Sequence, residues 1–578
     1  MKEKLKRLLP AAIILAFSCL MLLPYICSKG IIMGGDAIFH YNRFYDTAMQ
    51  IKTGHFNYFT TFFGFQQSGR VVNAVYGPLF AYFQGFLVLI SGSWRHYQIL
   101  SDLVLYLFAG GSMYLLLRTN RLKKTLALPL AGLFITTYAI QYWTLSQGFT
   151  SWGTSLMPLA LIPLSKIVRD KQLPVWSTAL VLALMTQIHV LSTIMLVLLY
   201  IPFVATALYH GKVGRLFKQI GQALLIYLGL TANIWYAMFT LYRHNDILPP
   251  FINGNMSQDS INTAAWYWLV MPVVLIILGL TAIWPLIRHW RQLSLYNHLI
   301  WLTALVFLLL STNLLPWDHF IQQKMFFAEL IQFPFRFFAP FTVLLIIGYG
   351  QLLKEVPNFE RIGPYFLTFL TLLGLLQTSA STSQSLQSFY HKDWQAQHVT
   401  HSYVLNSNQA IRQSMASPQL LDLLTNLQKS TPDYLPVDQP TKASKYNTYA
   451  REIVFSHQKV TKKVTPNGLL ISWFARDDRP VQLPVVLYHD SQLSLPASKQ
   501  KLVKPLALSS IGQPTVVSRP GHNQLLLHYH STLPMPWLLA FVGLIWLVAL
   551  SQLLRYRLMM KRQLQQPIYG KQGTNRQN

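Results

Sequence analysis

Long apolar runs separated by short polar, mostly basic stretches dominate the first 380 residues of the chain. Runs of roughly 17 to 25 apolar residues are long enough to cross a hydrocarbon core as helices, which satisfy their own backbone hydrogen bonds. The pattern predicts about twelve transmembrane helices. The first lies near 9–28, followed by one near 97–117, one rising to Trp143 and one descending from Gly153. The run 174–209 is too long for one helix and predicts two, folding back around Thr186-Gln187-Ile188-His189. Further spans follow near 219–241, down to Arg288, near 297–315, up to Lys354 and up to about Thr378, and the last occupies 534–554. An apolar piece ending at Ile90 is shorter and predicts an interfacial helix.

The pattern changes at 380–533, where Ser, Gln, Asn and Thr replace Leu. Its second half alternates with period two, as in Gly468-Leu469-Leu470-Ile471-Ser472-Trp473-Phe474 and Gln524-Leu525-Leu526-Leu527-His528-Tyr529-His530. With turn residues such as Arg519-Pro520-Gly521 between, it predicts an antiparallel β-sandwich. The expected organisation is a polytopic α-helical membrane unit at 1–379, with a first loop at 29–96. A β-rich domain at 380–533, a last helix at 534–554 and a basic tail at 555–578 follow. The end of the tail beyond Gln563 reads as disordered.

Composition agrees, with 52% hydrophobic against 11% charged residues. A net charge of +28 would suit nucleic acid, but the Lys and Arg fall in short clusters at 118–124, 166–171, 212–218 and 555–562. Clusters between apolar runs set topology and attract membrane lipid, so no nucleic-acid partner is expected. Placing them in the cytoplasm predicts a multi-pass plasma-membrane protein with both termini inside. The first loop and the β-rich domain then lie outside. Cys19 and Cys27 both fall in the first apolar run and support neither a disulfide framework nor a thiolate metal site.

The chemistry-bearing stretch is Gly34-Gly35-Asp36-Ala37-Ile38-Phe39-His40, just past the first span. Read as a helix opening at Asp36, it carries His40 four residues on and Arg43 seven on, so the three share a face. Two glycines allow a sharp turn or a close backbone approach. Spacing alone leaves Asp36 either a helix cap or an active group. No P-loop, dinucleotide fingerprint, zinc spacing or nucleophile elbow is present, and His528 with His530 makes only half a metal site. The charge topology instead brings Asp36, His40, Arg43, Asp46, His189, Asp318, Lys324, Glu329 and Arg336 to one membrane level. Such a set can hold a phosphate and take a proton from an attacking hydroxyl. For Asp46, Asp318 and Lys324 a local anchoring role is expected.

An acid in the first outer loop, helices within that loop, many further spans and a large exterior C-terminal domain resemble the GT-C superfamily of membrane glycosyltransferases. Gly35-Asp36 followed by His40, with Gln332-Phe333-Pro334-Phe335-Arg336 late in the bundle, most resembles bacterial membrane proteins labelled as related to 6-pyruvoyl-tetrahydropterin synthase. YfhO-like proteins are similar more loosely. The resemblance implies a sugar donor on a polyprenyl phosphate and an envelope glycan or glycolipid acceptor. It makes Asp36 the catalytic base or a ligand of a divalent cation, Mg or Mn, and Arg336 the phosphate contact. His40, Arg43 and His189 would position substrate, and Glu329 would be a second acid. Many GT-C enzymes pair two acids in that loop, whereas here Ala37 follows Asp36. The rival expectations are a transporter or flippase of lipid-linked envelope precursors, and an envelope-assembly scaffold.

Overall fold

The computed structural model describes residues 2–565 except 29, 250, 357–358, 392–393, 395–399, 439–442 and 497. The far end of the basic tail, 566–578, lies outside the described residues. Helices dominate, and among the described residues eight of them are long and apolar enough to cross a membrane: Arg7–Ser28, Trp94–Thr119, Lys124–Ser146, Val190–His210, Val274–Gln292, Pro334–Glu355, Ile362–Ser388 and Met535–Arg555. The pair Val213–Leu230 and Ala232–His244, bent by 72°, makes up to nine. The other three expected spans coincide with helices that fall short of that standard. Val175–Ile188 and Leu295–Leu310 are short, and Thr150–Asp170 opens on Thr150, Ser151, Thr154 and Ser155. The chain has the build of a membrane protein.

Two helices outrun their expected ends. The helix expected to stop near Thr378 continues to Ser388, because its Ser, Thr and Gln residues are polar without breaking a helix. The last helix likewise continues to Gln565. At His189 the chain bends sharply. The Thr186 and Thr193 hydroxyls meet at 3.1 Å, whereas seven residues of continuous helix would separate them by about 10 Å.

Besides the antiparallel pair Ser402–Val404 with Leu427–Lys429, the β-rich region holds two antiparallel sheets among the described residues. One has five strands in the order Thr461–Thr465, Gly468–Ala475, Gly521–Tyr529, Ser491–Leu495 and Ser498–Leu502. The other runs Pro480–Gln482, Pro514–Val517 and Ala507–Leu508. Alternate residues Leu469, Ile471 and Trp473 of one strand and Leu525 and Leu527 of its partner share a core with Val481 and Val516 of the second sheet. That core is not self-contained. Phe62 from the first loop enters it, and Phe59, Val71 and Val75 pack with Leu435, Tyr449, Val486 and Tyr488 in a neighbouring cluster. The first loop is thus a wedge inside the β-rich region, and the two share apolar burial worth about 1.5–3 kcal/mol per large side chain.

Candidate functional site

The helix Ala37–Thr53 is far more enclosed than an interfacial helix, since every residue from Ala37 to Ala48 except Phe39 is buried. Tyr41 stacks on Trp94 at 4.5 Å, and Thr47 Oγ1 donates to the Ala81 carbonyl at 2.8 Å. Asp36 occupies the N-cap position but makes no capping hydrogen bond, so capping does not explain the acid. Gly34 explains itself better. A Cβ there would fall on the Ser146 backbone, and the Gly34 N–H donates to Gln147 Oε1. Gly34→Ala is expected to cost about 1–3 kcal/mol by overpacking, read as a lower melting temperature of the purified protein in detergent.

Asp36 meets a residue that sequence reasoning missed. Lys429 Nζ lies 3.9 Å from Asp36 Oδ1 and donates to the Gly35 carbonyl. Lys429 ends the strand Leu427–Lys429, paired with Ser402–Val404, and the following segment is pinned from the first loop. Arg70 Nη1 donates to the Thr431 carbonyl at 2.5 Å and to its hydroxyl at 3.0 Å, and Nη2 donates to the Asp433 carbonyl. Asp433 and Arg336 both lie within electrostatic reach of Asp36. The Asp36 side chain is 58% exposed, with Lys429, Asp433 and Arg336 in electrostatic reach around it. Burial raises its pKa above the ordinary carboxylate value, with Lys429 and Arg336 opposing and Asp433 adding to the rise. Lys429, 11% exposed, has its pKa lowered by burial, with Asp36 and Asp433 opposing.

Arg336 is aimed by its own motif. Gln332, held at φ +62°, accepts from Arg336 Nη1 through Oε1 at 2.8 Å and donates to the Phe251 carbonyl at 2.6 Å. Phe335 stacks on Trp268 at 5.0 Å, which locks the turn. Nη1 also donates to the Ile331 carbonyl at 2.8 Å. Among the described residues Nε and Nη2 have no protein partner, leaving one edge of the guanidinium fork for an anion. Tyr76 and Tyr142 lie within reach of both Asp36 and Arg336.

His40, Arg43 and His189 form a buried layer beside this group. Arg43 is fully buried and spends its donors on protein. Nε donates to Asn73 Oδ1 at 3.1 Å, Nη2 to the Tyr76 carbonyl and Nη1 to His40 Nδ1 at 3.2 Å. These contacts give it a structural role. Because a guanidinium only donates, His40 Nδ1 accepts and the ring is neutral. Burial, then Arg43, hold the His40 pKa well below the usual imidazole value. The ring stacks on Phe149 at 4.8 Å. His189 is held by Ser192 Oγ at 2.8 Å and meets the Tyr76 ring edge-on at 5.6 Å.

Other expected members stand apart. Glu329 is half-buried on the helix Phe326–Ile331 and is not among the groups in electrostatic reach of Asp36, Tyr76 or His189. A second acid beside Asp36 comes instead from Asp433. Asp46 is buried as a loop anchor, accepting from Gln50 Nε2 at 2.7 Å and the Phe63 N–H at 2.8 Å. Asp318 accepts from the Ser257 N–H at 2.9 Å, and Lys324 is exposed. His528 contacts Gln492 at 3.1 Å.

A divalent cation does not fit at Asp36. An ammonium stands 3.9 Å from the carboxylate, a guanidinium is in reach, and among the described residues no group of three His, Cys, Asp or Glu ligands includes Asp36. What the site offers is the Asp36 carboxylate between two cations, with Asp433 in reach, a donor set for an anion and a proton. Comparison of the chain with protein-family models, curated proteins and solved structures finds no match.

Proposed function

We propose that the chain is a metal-independent glycosyltransferase of the GT-C kind, moving a sugar from a polyprenyl phosphate to an envelope glycan or glycolipid at the outer face of the plasma membrane. The observation that supports it is the meeting of Asp36, Arg336 and Lys429, drawn from the first loop, the late bundle and the β-rich region. In this reading the bent pair and the helices Thr150–Asp170, Val175–Ile188 and Leu295–Leu310 complete twelve spans. The basic clusters are cytoplasmic, so both termini lie inside and the β-rich region outside.

The chemistry is a single displacement. The acceptor hydroxyl gives its proton to Asp36 as its oxygen bonds to the anomeric carbon. The bond from that carbon to the phosphate oxygen breaks, and the polyprenyl phosphate leaves with the electron pair. Arg336 and Lys429 hold the phosphate before and after, and their charge offsets the charge developing on the leaving oxygen. A base with a raised pKa accepts a proton more readily near neutral pH.

The pH dependence of transfer tests this assignment. Transfer needs Asp36 ionised, so the rate falls as pH drops through its pKa. Lys429 lowers that pKa. Lys429→Met therefore moves the acid limb of the profile to higher pH, as measured in membranes across the acid-to-neutral range. An acid limb that stays in place, or moves down, removes Asp36 from the role of base.

One observation favours the transporter reading. Asp102, inside the span Trp94–Thr119, is buried, with the Tyr25 and Thr144 hydroxyls in reach of its carboxylate. Ionisable groups at membrane depth commonly mark transport paths. Asp102→Asn should stop movement of lipid-linked precursor and Asp36→Asn should not, if the protein is a transporter; the transferase reading expects the reverse.

A further inference from the structure

A second cluster of ligating side chains lies away from Asp36, where the bent helix pair meets the β-rich region. The helix Ala232–His244 ends in His244, and the loop after Tyr488 carries His489 and Asp490. The ligand atoms of these three residues all lie within 4.8 Å of one another. The carboxylate bridges two imidazoles, one on each oxygen. His489 Nδ1 is 2.9 Å from Oδ1, and His244 Nδ1 is 3.4 Å from Oδ2. The two rings stand 4.9 Å apart with their planes at 41°.

We propose that His244, His489 and Asp490 bind a divalent transition-metal ion, best matched by zinc. Two imidazole nitrogens and one carboxylate oxygen are a zinc donor set, and water would take the fourth position. Ligands about 2.0–2.1 Å from a tetrahedral ion stand about 3.4 Å apart; one nitrogen–oxygen separation is 3.4 Å and the other, at 2.9 Å, is shorter. Mg is a poor match, because it prefers oxygen donors.

Supporting contacts hold the ligands in place, as metal sites require. Asn245 Oδ1 accepts from the His489 N–H at 2.7 Å. Tyr529 Oη donates to Asp490 Oδ2 at 3.3 Å, and the His530 N–H donates to the Asp490 carbonyl at 2.8 Å. The ion would staple a seam already begun by backbone pairing. Beyond His244, Ile247 bridges Pro436, the Leu248 N–H donates to the Leu435 carbonyl at 2.9 Å and the Val437 N–H to the Asp246 carbonyl at 2.7 Å. Those partners directly follow Asp433 and Tyr434, so the staple steadies the segment that carries charge to Asp36.

Zinc binding to the full chain, purified in detergent and stripped with EDTA, tests the proposal. Titration with ZnCl2 against a chromophoric chelator should show one equivalent bound at micromolar affinity or tighter, with a rise in melting temperature that MgCl2 does not produce. His489→Ala and His244→Ala should each weaken that binding at least about tenfold. Their zinc-free melting temperatures should stay near that of the wild-type chain, which separates ligand loss from misfolding. Asp490→Asn should weaken binding while keeping the Tyr529 contact. Absence of stoichiometric binding, or binding by the variants equal to wild type, overturns the site and identifies an imidazole–carboxylate ion pair in its place.

Discussion

Asp36→Asn is expected to lower sugar transfer about 10²–10⁴-fold, the range for loss of a positioned general base. Folded protein should stay at wild-type levels. The acid makes no capping bond that Asn would lose, and its one ion pair, at 3.9 Å with a 58% exposed acid, is worth about 0–1 kcal/mol. Asn keeps the shape and removes the carboxylate charge together with the site for the proton. Transfer assayed in membranes, beside melting temperature of the purified variant, separates the two effects. Unchanged transfer contradicts the assignment, and a fall in both activity and melting temperature would show a structural role.

Arg43→Ala is expected to do the opposite. It strands the Tyr76 carbonyl, Asn73 Oδ1 and His40 Nδ1 at once. It also empties a space between the rings of Tyr76 and Phe149, which lie 4.3 Å and 5.0 Å from the guanidinium carbon. Each unsatisfied buried polar group costs about 1–3 kcal/mol, so the loss should reach about 3–5 kcal/mol, enough to remove most of the folded protein from the membrane. Quantifying folded protein by fluorescence-detected gel filtration checks this. A well-folded Arg43→Ala that fails only in transfer would return Arg43 to the role of a substrate contact.

The helices were legible because apolar length is a strong signal, and the strands because Leu469, Ile471 and Trp473 alternate with outward residues. The convergence of Asp36, His189 and Arg336 was legible from charge topology, which assigns a level in the membrane without any knowledge of packing. Partners were not. Lys429 stands 394 residues from the Gly35 carbonyl it contacts, in a polar stretch where a lysine is unremarked. Arg43 shares a helical face with Asp36, and spacing cannot say that Asn73 and Tyr76 consume its donors. Glu329 was placed by membrane level alone, which does not bring two groups into contact. Asp102 was readable, being an acid inside an apolar run, and so was the doublet His489-Asp490. The third ligand, His244, needed the fold.

Binding of polyprenyl phosphate to the purified chain in lipid nanodiscs most directly tests the claim that the group around Asp36 is a phosphate site with a base beside it. Asp36→Asn should bind at least as tightly as the wild-type chain, because the acid does not hold the phosphate and its charge opposes an anion. Arg336→Ala should bind at least about tenfold more weakly, the loss of a charge-assisted fork. Arg336→Ala binding as tightly as wild type would contradict the account.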